Sequence, residues 1–260
     1  MLSILSPAKS LDFESPLATR RATDPRLLDH TEQLAEVMRQ QSPADLRRLM
    51  DISEDLATLN AERFQAMAFP QPRRTSRPAL LAFAGDVYQG MRATERFDER
   101  DFTEAQKTVR ILSGLYGLLR PLDRIQPYRL EMGSPLRTPR GTSLYQWWGD
   151  TVTDLVLDDL AASPGDDVLV NLASEEYAKV IQTSRLPRVV SPRFEDADGQ
   201  GRYRVVSFPA KRARGEMAAW LVENRVRRVS QLRHFDAAGY TFHAESSRPD
   251  VPVFRRSRTD

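Results

Sequence analysis

Cysteine is absent from this 260-residue chain. That excludes a disulfide framework, a thiolate nucleophile and a metal site built on sulfur. Histidine is scarce as well, with His30, His234 and His243 the whole supply. None stands at the i,i+3 spacing from a glutamate that di-iron bundles use, and His243-Ala244-Glu245 is one candidate at a shorter spacing. No metal and no resident cofactor are expected. No apolar run approaches the ~20 residues of a membrane span, and Pro7 ends the apolar Met1–Leu5 long before a signal segment is complete. The expectation is a cytoplasmic protein without a membrane partner. Lysine is the last scarcity: Lys9, Lys107, Lys179 and Lys211 are the only four among 38 basic residues. Lys107 sits on a predicted helix surface and Lys179 can pair with Glu175 one turn away. Lys9 and Lys211 have no such role, so a compact, titratable amine at those two positions points to a site.

The composition that remains is that of a soluble globular protein, 40% hydrophobic and 28% charged with a net charge of +2. The length allows a sizeable core. Charge is unevenly placed. From Arg202 to Arg233 nine basic residues face only Glu216 and Glu223, whereas Asp150 to Asp167 holds six aspartates and no base. The basic region is able to attract phosphates. Asp150, Asp154 and Asp158 recur every four residues, the solvated face of a helix rather than a metal cluster.

Val109 to Gly133 carries the densest punctuation in the chain. Gly114 and Gly117 interrupt an apolar run, and Arg110, Arg120, Arg124 and Arg129 flank them. Two arrangements fit. One is a buried strand, Arg110 to Leu115, whose glycines let another backbone pack close. The other is a helix–hairpin–helix, with a helix over 98–112 and a second short helix whose bare N–H groups hold a phosphate without reading sequence. Gly114-Leu115-Tyr116-Gly117 has one residue more than the usual apolar-x-Gly-apolar-Gly hairpin.

The remaining chain alternates strands and helices. Residues 2–6 read as a buried strand running into Ser6-Pro7-Ala8-Lys9-Ser10, and polar residues past a strand end are where open sheets gather ligands. Residues 25–69 are helical, with Ser42 as an N-cap before Pro43 and with Leu56, Leu59, Phe64 and Met67 turned inward. Asp86 suits an N-cap and Asp98 to Arg110 an amphipathic helix. Tyr128 to Met132 alternates, placing Arg129 and Glu131 on one face. Residues 144–162 form a helix. Val168 to Ala173 is a strand buried on both faces, followed by Ser174 capping a helix that begins with Glu175 and Glu176. Val189-Val190 and Tyr203 to Phe208 are further strands. Pro209 opens a helix to about Asn224, with Lys211, Arg212 and Arg214 in its first turns. Cations there cost a few tenths to about 1 kcal/mol against the macrodipole, which makes sense if an anion binds. The pattern defines an α/β protein, of the mixed α+β kind, over residues 1–260 as one compact domain with a mixed sheet.

These motifs resemble the YaaA family of peroxide-stress-resistance proteins. The matching segments are ILSPAKSLD, FAGDVYQG, RILSGLYGLLRPLDRIQPYRLEMG, LYQWWGD, VLVNLASEEY and SFPAKRARGEMAAWLVENR, in order along nearly the whole chain. The resemblance implies one domain of unusual topology with a helix–hairpin–helix-like element and a positively charged cleft. It also implies double-stranded DNA as partner and a cytoplasmic role in limiting oxidative damage, associated with lower free iron. Phosphate contacts are then expected from Lys9, Arg110, Gly114, Gly117, Arg120, Arg124, Lys211, Arg212 and Arg214. A second expectation is a pocket for a small phosphorylated ligand, or for acid–base chemistry, formed by Ser6, Lys9, Tyr128, Arg129, Glu131, Glu175, Tyr177 and Lys211. There is no P-loop, dinucleotide fingerprint or Ser-His-Asp order to name a catalytic residue.

Overall fold

The computed structural model describes residues 1–257. The chain opens with β1 (Leu2–Leu5), buried at every position. Three helices follow, α1 (Leu28–Arg39), α2 (Pro43–Met50) and α3 (Glu54–Ala66). Ser42 and Asp45 cap α2 reciprocally, side chain to backbone in both directions, with Pro43 in the first turn where no N–H is needed. In α3 the buried stripe is Ala57, Asn60 and Phe64, whereas Leu56 and Leu59 are 39% and 40% exposed. The small Ala57 takes the inward position expected of the leucines, which leaves them at the rim.

A short strand β2 (Arg77–Pro78) precedes the small helices α4 (Ala79–Ala82), α5 (Asp86–Met91) and α6 (Ala93–Arg96). Asp98 then caps α7 (Glu99–Thr108) in a second reciprocal box with Asp101. Next come β3 (Val109–Ser113), β4 (Gly117–Leu119) and β5 (Arg124–Ile125). The central stretch is therefore a β-hairpin and not a helix–hairpin–helix: Ile111 stands opposite Leu119 and Ser113 opposite Gly117. Two facts decide it. Every residue of β3 is buried, which suits a central strand. Gly117 also adopts φ +68°, a left-handed turn residue. Gly114 serves a close approach, since a Cβ there would lie 2.3 Å from the Leu130 carbonyl oxygen.

The expected helix over 144–162 is two helices, α8 (Leu144–Trp148) and α9 (Thr151–Ala162), parted at Gly149 with φ +47°. Beyond them lie β6 (Leu169–Asn171), α10 (Glu175–Ala178), β7 (Val189–Val190), β8 (Arg193–Ala197) and β9 (Tyr203–Arg204). The long helix α11 (Ser207–Glu223) and the strands β10 (Thr241–Phe242) and β11 (Val253–Arg256) complete the series. Because α11 begins at Ser207, the strand expected to reach Phe208 stops at Arg204. Lys211 accordingly sits in the second turn, where the helix macrodipole has largely faded.

The main sheet has the order β4-β3-β1-β6-β7. β1 runs parallel to β3 and to β6, with Ile4 beside both Arg110 and Asn171, and β6 runs parallel to β7. A second sheet, β10-β11-β8-β9, and the pair β2-β5 complete a mixed α/β architecture. One continuous hydrophobic cluster extends from Met1 to Phe254. Helices α5 and α11 cross with backbone against backbone. A Cβ on Gly215 would fall 1.8 Å from the Val87 carbonyl oxygen, and one on Gly90 would fall 2.1 Å from that of Arg212. This antiparallel crossing sets Arg212 against Gly90 and Gly215 against Val87, which holds the Lys211–Arg214 turn of α11 alongside α5.

Candidate functional site

Four parallel strands end on one side of the main sheet. The chain continues from β1 to β3 on one flank and from β6 to β7 on the other, so a crevice opens between the loops after β1 and β6. Ser6 follows β1 and ties the two loops: its Oγ accepts from the Ser174 N–H at 2.8 Å and donates to Ser174 Oγ at 3.2 Å. Ser174 occupies the N-cap position of α10, yet its hydroxyl makes no capping bond.

The crevice has a volume of about 460 Å³ and brings together Ser6, Lys9, Tyr128, Arg129, Glu131, Tyr177 and Lys211. Glu175 is not on its wall and Glu176 is. Consecutive residues of a helix point about 100° apart, so only one of the two can face inward. The Glu176 carboxylate accepts from the Gly133 N–H at 2.9 Å. Asp86, Tyr88, Gln89 and Arg214 also line the space. The sequence offered Asp86 first as a helix N-cap, a position that Gly85 takes, and Arg214 as a phosphate contact; the α5–α11 crossing that adds both to the pocket has its signal in Gly90 and Gly215.

Charge in the crevice is distributed unequally. Glu131 bridges two cations, with Lys9 Nζ 2.7 Å from one carboxylate oxygen and Arg129 Nη2 3.1 Å from the other. Arg214 is different. It is half-buried and makes neither a hydrogen bond nor an ion pair with any described residue, and burial pushes its guanidinium below the ordinary arginine range. Lys211, exposed beside it, also lacks a carboxylate partner among the described residues. Three tyrosines form the apolar wall. Tyr88 donates its hydroxyl to the Ser6 carbonyl at 2.9 Å, and the Tyr128 hydroxyl lies 2.6 Å from Ser113 Oγ. Burial raises the hydroxyl pKa of Tyr88, Tyr128 and Tyr177, so all three are neutral donors.

The phosphate contacts expected along the central stretch are engaged elsewhere. Arg110 is buried, with Nε 2.6 Å from Asp159, a carboxylate that Arg26 also grips through two bonds of 2.7 Å. Arg120 pairs with Asp123 at 2.8 Å and Arg124 pairs with Asp24. Gly114 packs on Leu130, and a Cβ at Gly117 would meet the Trp148 ring at 2.8 Å. Arg110, Arg120, Gly114 and Gly117 thus serve the fold, and Arg124 faces away from the crevice toward Asp24. Arg212 is exposed and lies 5.2 Å over the Phe208 ring. Among the described residues no cluster of three or more metal-ligating side chains occurs, and no helix is long and apolar enough to cross a membrane.

Fold and site together define a mixed α/β protein with a crevice of mixed charge at the carboxyl ends of its parallel strands. The family model described as peroxide stress protein YaaA matches residues 1–246. The chain belongs to that family.

Proposed function

We propose that this peroxide-stress protein works through the crevice, in the cytoplasm, by binding a small ligand that carries a phosphate or similar oxyanion. The observation that supports the reading is Arg214. A guanidinium partly withdrawn from water without a counter-ion is costly, and an anion entering beside it and Lys211 offsets that cost. Glu131 and Asp86 supply acceptors for hydroxyl or amino groups of the same ligand, and the tyrosine wall supplies apolar contact. A volume of about 460 Å³ suits a molecule the size of a phosphosugar or nucleotide. The test is a thermal-shift screen of nucleoside monophosphates and phosphosugars on wild type and Arg214→Gln. A ligand that stabilises wild type and loses at least tenfold in affinity in the variant supports the reading. No stabilisation by any member, or equal binding by both proteins, overturns it.

A second reading, binding of double-stranded DNA through its backbone with little sequence preference, rests on a separate observation. Arg204, Lys211, Arg212, Arg214, Arg228 and Arg233 make no ion pair with described residues, so the region from 202 to 233 keeps cations available. Backbone binding of this kind would shield DNA from iron-dependent oxidation. The helical hairpin α2–α3 is a poor phosphate cradle for this purpose. Its tip carries Asp51, Glu54 and Asp55, which repel a polyanion.

A further inference from the structure

We propose a second anion site, a basin formed by Arg20, Arg21, Arg73 and Arg124 that binds a phosphate-bearing group. Its volume is about 540 Å³, and its lining has no residue in common with the crevice. The four arginines come from three separate segments, and Asp24 is the only carboxylate among the lining residues. Asp24 is already bonded to Arg124. Arg20 and Arg73 are exposed and make no ion pair with described residues. Arg21 also lies 3.9 Å from the Glu99 carboxylate, so Arg20 and Arg73 are the two cations of the basin without a counter-ion among the described residues, an arrangement that an entering anion relieves.

The frame beneath these cations is rigid. The loop bearing Arg20 and Arg21 is pinned by the Thr23 N–H to the Leu122 carbonyl at 2.8 Å and by the Arg124 N–H to the Thr23 carbonyl at 2.9 Å. Gln106 of α7 locks both sides, donating to Thr23 Oγ1 at 3.0 Å and accepting from the Leu122 N–H at 2.8 Å. Arg21 is steered by Thr103 Oγ1 at 2.5 Å and the Glu99 carbonyl at 3.3 Å. Arg124 has a side chain only 13% exposed and is held in place by Asp24. Pre-positioned guanidinium groups on a fixed floor suit the planar, multidentate recognition of phosphate oxygens.

The phosphate can belong to a free molecule or to a polynucleotide backbone, and two probes separate these sources. Inorganic pyrophosphate and a short DNA duplex are titrated calorimetrically at low salt into wild type, Arg20→Ala/Arg73→Ala and Arg214→Gln. The expected result is pyrophosphate binding that weakens at least tenfold in the double variant and persists in Arg214→Gln, with unchanged thermal unfolding. Loss of duplex affinity alone in the double variant supports the same basin with a polynucleotide as its source. Equal affinity of the double variant and wild type for both probes, or no binding of either by wild type, overturns the proposal. Because the two sites have no lining residue in common, the crevice can fail its own test while the basin passes, and the reverse.

Discussion

Asp159 is held by two guanidinium groups at a place where a lone carboxylate would be costly. Burial alone would raise its pKa, and the bonds from Arg26 and Arg110 outweigh that effect and hold it below the usual carboxylate range. Removing one partner of such a buried cluster costs about 3–5 kcal/mol. Arg110→Ala is accordingly expected to lower the unfolding free energy by about 3 kcal/mol, measured by urea denaturation at neutral pH, without changing the oxyanion binding proposed for the crevice. The pH dependence has a definite sign. A depressed folded-state pKa contributes stability above the unfolded value of about 3.9, and that stability disappears as pH falls through the lower folded value. The gap between wild type and Arg110→Ala should therefore narrow as pH drops from about 5 toward 3. A gap independent of pH would assign Arg110 to packing alone.

At the scale of elements, the crossing of α5 on α11 sets the crevice. Replacing Gly215 by alanine adds about 1 kcal/mol of intrinsic helix propensity. It also places a methyl group 1.8 Å from the Val87 carbonyl oxygen, a contact only a shift of backbone can relieve. The expected net effect of Gly215→Ala is a loss of about 1–3 kcal/mol in thermal unfolding, together with a weakening of the proposed oxyanion binding as Lys211 and Arg214 move from Asp86. Unchanged binding would detach the crossing from the site. Much of this layer is legible in the sequence. The capping at Ser42-Pro43, the strand at Leu2–Leu5 and the strand around Leu169 all follow from local chemistry. So does the loop bearing Lys9, marked by a rare lysine beyond a strand end. Other features depend on tertiary context. Pro209 reads as the first residue of a helix, yet it is tolerated as the third because first-turn N–H groups need no intrahelical acceptor. Adjacent Asp158 and Asp159 look alike in an acidic run, and only packing turns one outward and the other toward Arg26 and Arg110. The β3–β4 hairpin resembles a phosphate-binding turn in composition, but burial of every β3 residue decides in favour of the strand.

At the scale of the molecule, the basic excess between Arg202 and Arg233 is partly redistributed by folding. Arg225 and Arg227 pair with Asp101 and Glu104 of α7, while Glu216 and Glu223 are taken by Arg96. What remains faces outward on and around α11. If duplex DNA binds there, fluorescence anisotropy across a salt series should give a steep slope of log affinity against log salt. Lys211→Ala/Arg214→Ala should flatten it by about two, at roughly 0.9 for each phosphate no longer neutralised. An unchanged slope would move the phosphate-binding surface away from this helix, and a flat wild-type profile would remove backbone binding altogether.

The walls of the crevice come from residues 6–10, 84–89, 128–131, 174, 176, 177, 211 and 214, spread across most of the chain. No single segment of the chain contains the whole site. Occupancy is thus coupled to the integrity of the entire fold: a ligand at a hundred times its Kd would add about 2.7 kcal/mol against global opening. Its imprint would reach amides that never touch it, slowing hydrogen exchange in the central strands as well as in the loops. Resistance to proteolysis would then report the cognate molecule before any activity is known.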